Sequence, residues 1–185
     1  MVTKTKTTTT KSVKMIHEII KNAKYVAPAQ KQFHGIWVDN GYQYCTDTHR
    51  IVMLYKPVNI EIEQVKQTDK IICFVNDKFL NAETECTETI ELPPVTEIRE
   101  QIKELIGRKY KSNKLLYRLG EDPELAVVNA KYLVECMELI GATELKYNPN
   151  KPKNGVSYME TELGKVLLMP IYNTDNKVGY WKIGL

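Results

Sequence analysis

Apolar positions along this chain switch between two spacings, and the switches separate helical from extended stretches. From Ser12, placed to cap a helix, to about Tyr25 the pattern is helical. At about 100° per residue, Val13, Ile16, Ile19, Ile20 and Ala23 fall on one arc. Lys11, Lys14, His17, Lys21 and Lys24 fall on the other, interrupted mainly by Glu18. After Pro28 the pattern predicts strands. Phe33 to Val38 is rich in β-formers and ends at Asp39-Asn40-Gly41, a hairpin signal. Tyr42 to Thr46 returns, Asp47-Thr48 turns, and Ile51 to Tyr55 is a third strand. Ile60, Ile62 and Val65 hint at a short strand. Lys70 to Val75 and Thr89 to Leu92 read as further strands, the latter stopped by Pro93-Pro94.

Helical spacing reappears from Thr96 to Ile106, ending at Gly107, and again from Asn129 to Gly141. The second of these turns Ala130, Leu133, Val134, Met137 and Ile140 inward. Glu144 to Tyr147, Val156 to Thr161 and Lys165 to Ile171 then read as strands, with one more edge strand within Val178 to Ile183. This order predicts an α+β fold with an antiparallel sheet.

Composition narrows the function classes. With 185 residues and 43% apolar or aromatic positions, the chain can bury a core without disulfides or metal. It carries no apolar run of membrane-span length and no hydrophobic leader, so the expectation is a cytoplasmic protein with no membrane partner. Residues 1–10, six Thr and two Lys among them, read as a disordered tail, leaving 11–185 as one domain. Cys45, Cys73, Cys86 and Cys136 show no paired metal-ligand spacing and read as reduced, mostly buried thiols. No metal or cofactor is expected.

Two stretches carry a family resemblance. Tyr44-Cys45-Thr46-Asp47-Thr48-His49-Arg50-Ile51 resembles the strand–turn–strand signature Ala-Thr-Asp-Gly-His-Arg-Leu of the bacterial DNA sliding clamp, the β subunit of DNA polymerase III. The helix beginning Ala130-Lys131-Tyr132-Leu133, followed by three strands ending Leu168-Met169-Pro170-Ile171, resembles the end of the same family, which closes on Met-Pro-Met. The resemblance covers under half of the chain. It implies a clamp-like domain built from two helix-plus-three-strand units, with an insertion at about 57–122. Three departures stand out. Thr48 occupies a glycine position, so the turn is expected to be built differently, because a β-branched residue tolerates positive φ poorly. The chain runs on past Ile171, and it supplies one domain where the family closes a ring from six. Encirclement would therefore need copies of the chain to associate as a homo-oligomer.

The resemblance implies a replication accessory protein that binds duplex DNA and tethers a polymerase or other replication protein by a peptide tail, without catalysis. Diffuse positive charge suits a sliding contact with phosphates. Lys11, Lys14, Lys21 and Lys24 are one candidate surface, and Arg108, Lys109, Lys111 and Lys114, interleaved with tyrosines, are another. Both fit a merely solvated surface as well. The helix after Asn129 argues against a DNA-lining role, since Lys131, Glu135 and Glu138 would repel as much as attract. For the peptide groove, the family's pattern carries over to Thr46, Thr48, His49, Arg50, Ile51, Met169, Pro170 and Ile171, with Arg50 meeting an acidic group. Both motifs also fit a purely architectural role. The alternative is a clamp-fold module, a mimic or inhibitor, that binds protein without encircling DNA. A thiol enzyme using Cys45, Asp47 and His49 is a third reading, which a turn at Thr48 would undermine by breaking strand alternation.

Overall fold

The computed structural model describes residues 3–62, 64–107, 115–119, 125–171 and 181–183. In chain order the elements are α1 (Thr3–Val26), β1 (Trp37–Asp39), β2 (Tyr42–Thr46), β3 (Arg50–Leu54), α2 (Asp69–Glu85), β4 (Glu88–Glu91) and α3 (Val95–Gly107). Then follow β5 (Leu115–Arg118), β6 (Val127–Asn129), α4 (Ala130–Ile140), β7 (Glu144–Tyr147), β8 (Ser157–Thr161), β9 (Gly164–Leu168) and β10 (Trp181–Ile183). The fold is α+β. Seven strands form an antiparallel sheet in the order β1-β2-β3-β9-β8-β7-β4. A three-stranded sheet, β10-β5-β6, stands apart from it, with β10 parallel to β5.

Period-two alternation in the large sheet divides its apolar residues between two cores. Cys45, Val52, Leu54, Met159, Val166 and Leu168 join Ile16, Ile19 and Ile20 of α1 and Leu133, Met137 and Ile140 of α4 in one cluster. Tyr44, Ile51, Met53, Tyr158 and Leu167 face the other way, onto Val75, Phe79 and Ala82 of α2. With both faces covered, β3 is buried along its whole length. A polar clasp also fixes α2 to the sheet. Tyr55 and Tyr158 each donate a hydroxyl hydrogen bond to Glu160, at 2.6 and 2.7 Å, and Lys165 pairs with Glu83 of α2.

Two units share one plan: α1 leads into β1-β2-β3, and α4 leads into β7-β8-β9. Their last strands pair, Arg50 opposite Leu168 through Leu54 opposite Gly164, and their helices lie side by side. The β1–β2 hairpin turns at Asn40 (φ 50°) and Gly41 (φ 83°), both left-handed as a type I′ turn requires. Helix α4 starts where Asn129 accepts hydrogen bonds from the amides of Lys131 and Tyr132, and stops at left-handed Gly141.

Several expectations are corrected. Helix α1 begins at Thr3, where a tail over residues 1–10 without regular structure was expected. Ser12 is buried inside the helix rather than capping it, and Met15 is buried where Val13 was expected. Threonine costs only a few tenths of a kcal/mol per helical residue, so helix already nucleated at 13–26 can extend through such a segment. The strand expected at Lys70–Val75 is the start of α2. Its β-branched residues looked extended over six positions, but the buried set recurs at 75, 79 and 82, which is helical spacing. Of the strand expected at 33–38 only Trp37 and Val38 are in β1 (Trp37–Asp39), after a 3₁₀ turn at Lys31–Phe33. The strand hinted at by Ile60 and Val65 reduces to one bridge, Ile36 to Gln64. The middle segment is woven into the domain: it covers one face with α2, adds β4 as a sheet edge and lays α3 beside α4.

Candidate functional site

The β2–β3 turn is organised by a buried ion pair. Asp47 is 0% and Arg50 1% exposed. Arg50 Nε donates to Asp47 Oδ2 at 3.0 Å and Nη1 to Glu135 Oε2 of α4 at 2.6 Å. Its guanidinium stacks 4.4 Å from the Tyr132 ring centre. Asp47 is equally occupied: Oδ1 accepts the amides of His49 and Arg50, and Oδ2 also accepts from Asn22 of α1. The same Asn22 amide donates to the Tyr132 hydroxyl at 2.9 Å. Charges this deep persist because opposite charges and hydrogen bonds within the fold offset their lost hydration.

This corrects the assignment of Arg50 to an acidic peptide group, since its guanidinium is spent inside the fold. Thr46, whose hydroxyl donates to the Arg50 carbonyl, and Ile51 are buried too. Thr48 and His49 are exposed at the turn, and Met169, Pro170 and Ile171 are half-buried. The two motifs do meet within one chain, because β3 pairs with β9 and the Met169 amide donates to the His49 carbonyl at 2.8 Å. The His49 ring lies against Tyr132, centroids 5.8 Å apart. What remains accessible is a surface of Thr48, His49, Tyr132 and the 169–171 segment. Thr48 has φ 71°, so the turn keeps the left-handed geometry that a glycine would supply and is not built differently.

Cys45, Asp47 and His49 all lie toward α1 and α4, but each is engaged separately, and the His49 ring is exposed against Tyr132. Cys45 points into the core, where burial pushes its thiol well above the usual range, and Asp47 is tied to Arg50. Burial likewise pushes Cys136 up to about 12. Cys45, Cys86 and Cys136 are buried and Cys73 is exposed. Among the described residues no cluster of His, Cys, Asp or Glu is arranged to hold a metal, and no helix is long and apolar enough to cross a membrane.

On α1, Lys11, Lys14, Lys21 and Lys24 are all exposed opposite the buried isoleucines, and none forms an ion pair with a described residue. Beside them α4 carries Lys131, Glu135 and Glu138, and here pairing alters the expected repulsion. Glu135 is bound by Arg50 and Lys131, Glu138 by Arg99 of α3, and Glu18 of α1 lies 3.9 Å from Lys131. Between α1, α3 and α4 lies a cleft of about 590 Å³, with Lys11 and Lys14 on its wall. The second basic candidate, Arg108, Lys109, Lys111 and Lys114, lies outside the described residues.

Sequence reasoning missed Asn22, Tyr132, Glu135 and Arg99. A signal for the first three existed: an Asp and an Arg embedded between two apolar strands can be buried only if partners come from elsewhere.

No protein-family model matches the chain, and no curated protein matches it. Among solved structures, DNA polymerase III subunit beta from Borrelia burgdorferi, in complex with a natural product, is similar over 90% of this chain. The identity is 13% and the TM-score 0.45, and the match spans 62% of that protein's chain, less than two thirds of its length. The fold assignment rests on the strand order above, not on this likeness.

Proposed function

We propose that this chain is a DNA-binding accessory protein of sliding-clamp type, which contacts duplex backbone through α1 and tethers a partner beside His49. The observation that carries the reading is the charge balance of the helical layer. The acids of α4 are taken up by internal cations, while Lys11, Lys14, Lys21 and Lys24 of α1 have no ion-pair partner among the described residues. Such unpaired cations on a rigid helix suit phosphate contact without base readout. The tethering part is supported by the exposed His49 and half-buried Tyr132, Met169 and Pro170, which offer ring and thioether surface to a short peptide.

The test is fluorescence anisotropy of labelled duplex DNA over a range of salt. Binding that weakens steeply with salt, and far less steeply for Lys14→Glu with Lys21→Glu, supports the reading. Equal binding by wild type and double variant removes α1 from it. Light scattering behind a sizing column, with and without duplex, decides whether copies assemble. A monomer indifferent to DNA leaves the protein-binding alternative, with the His49 surface as its site.

A further inference from the structure

The tyrosines of this chain differ sharply in how they are used. Tyr44, Tyr117 and Tyr158 are buried, Tyr42 lies against Tyr55, and Tyr132 holds Asn22 and Arg50. Tyr25 stands apart. It is 85% exposed at the last turn of α1 and makes no ring contact or hydrogen bond with a described residue. Leaving a large ring in water forgoes the burial that the other tyrosines gain.

Its position gives the exposure a meaning. At about 100° per residue, positions 14, 21 and 25 fall within an arc of about 40°, so the ring continues the line of Lys14 and Lys21. Tyr25 follows Lys21 by about 6 Å along the helix axis, and Lys24 flanks it. That step resembles the offset between a nucleotide's phosphate and its base. Val26, also exposed, extends the apolar end, after which the helix stops and the chain turns at Pro28. One helix face therefore passes from cations to a free ring. A continuous duplex offers phosphates but keeps its base faces stacked inside, whereas a single strand offers both.

We propose that Tyr25 is a stacking platform for an unpaired base, so that the DNA favoured by this face is a duplex bordering a single strand rather than uninterrupted duplex. The inference rests on the DNA-binding reading of α1 and goes beyond it by naming the form of DNA.

The experiment compares a blunt duplex with the same duplex carrying a single-stranded oligothymidine extension, using wild type, Tyr25→Ala, Tyr25→Phe and the Lys14→Glu, Lys21→Glu variant. Wild type should prefer the extended DNA. Tyr25→Ala should lose roughly 5- to 100-fold on it and nothing on the blunt duplex, while Tyr25→Phe keeps the preference, since stacking needs the ring and not the hydroxyl. The lysine variant should weaken on both. If Tyr25→Ala binds both DNAs as wild type does, the stacking role falls and the DNA reading stands. If wild type binds neither, the DNA reading itself falls. If Tyr25→Ala instead loses binding only to vesicles of anionic phospholipid, the ring serves a lipid surface and the proposal is overturned.

Discussion

The β2–β3 turn and the outer face of α1 are both rich in charge, yet they use it in opposite ways. At the turn, Asp47 and Arg50 are sunk between β-strands and α4, and each has partners within the protein. On α1, Lys11, Lys14, Lys21 and Lys24 stand in solvent without an ion-pair partner among the described residues. A buried, satisfied charge specifies the fold. A solvated, unsatisfied one remains available to something outside it. Motif conspicuousness and availability thus point to different residues here.

The comparison can be broken or sharpened experimentally. Arg50→Met should have the largest effect, leaving Asp47 buried without its cation and costing about 3–5 kcal/mol in chemical denaturation. A loss below 1 kcal/mol would show that the turn does not depend on the pair. Next in size is the alkaline response of the buried hydroxyls and thiols. Burial pushes Tyr44 up to about 12 and raises Tyr158 and Cys136 as well. Groups whose folded values exceed their unfolded ones stabilise the fold fully below the unfolded value and progressively less above it. Stability should therefore decline as pH rises from about 9, the ordinary thiol value, toward 12, with ionisation of the buried tyrosines lagging until the protein unfolds. Early, complete tyrosine ionisation without unfolding would contradict this.

On the α1 side, Lys14→Gln with Lys21→Gln should leave the denaturation midpoint where it is. The slope of log binding constant against log salt should fall by about two if each lysine meets one phosphate. A shifted midpoint would mean that these lysines belong to the fold after all. The smallest effect is expected at the turn tip. Thr48 holds φ 71° with a β-branched side chain, so Thr48→Gly should stabilise the protein by about 1 kcal/mol. Destabilisation would show that the hydrogen bond from the Thr48 amide to the Thr46 hydroxyl needs a stiff residue there.

Local signals predicted local outcomes well. Asn40-Gly41 and Gly141 act through their own backbone, so residue type announced them, whereas Ser12, read as a cap by residue type, lies inside α1. The α2 helix was misread because Ile71, Ile72 and Val75 favour strands locally, and only the distant partners Tyr158 and Leu167 decide that 75, 79 and 82 form one face. The site follows the same rule. Lysines on α1 were legible from one helical period. That Glu135 is bound by Arg50 was not, because the two are brought together only by packing α4 against β3.

The pairing of β3 with β9 carries a consequence for how the chain acquires its shape. These central strands come from the early and late parts of the sequence, so their seam is a contact of high order and slow to close. As the polypeptide emerges from a ribosome, β3 waits for β9, its flank open to misplaced partners. Pulsed hydrogen exchange during refolding should find the amides of Ile51, Met53, Lys165 and Leu167, which face one another across this seam, becoming protected together, well after those of α4.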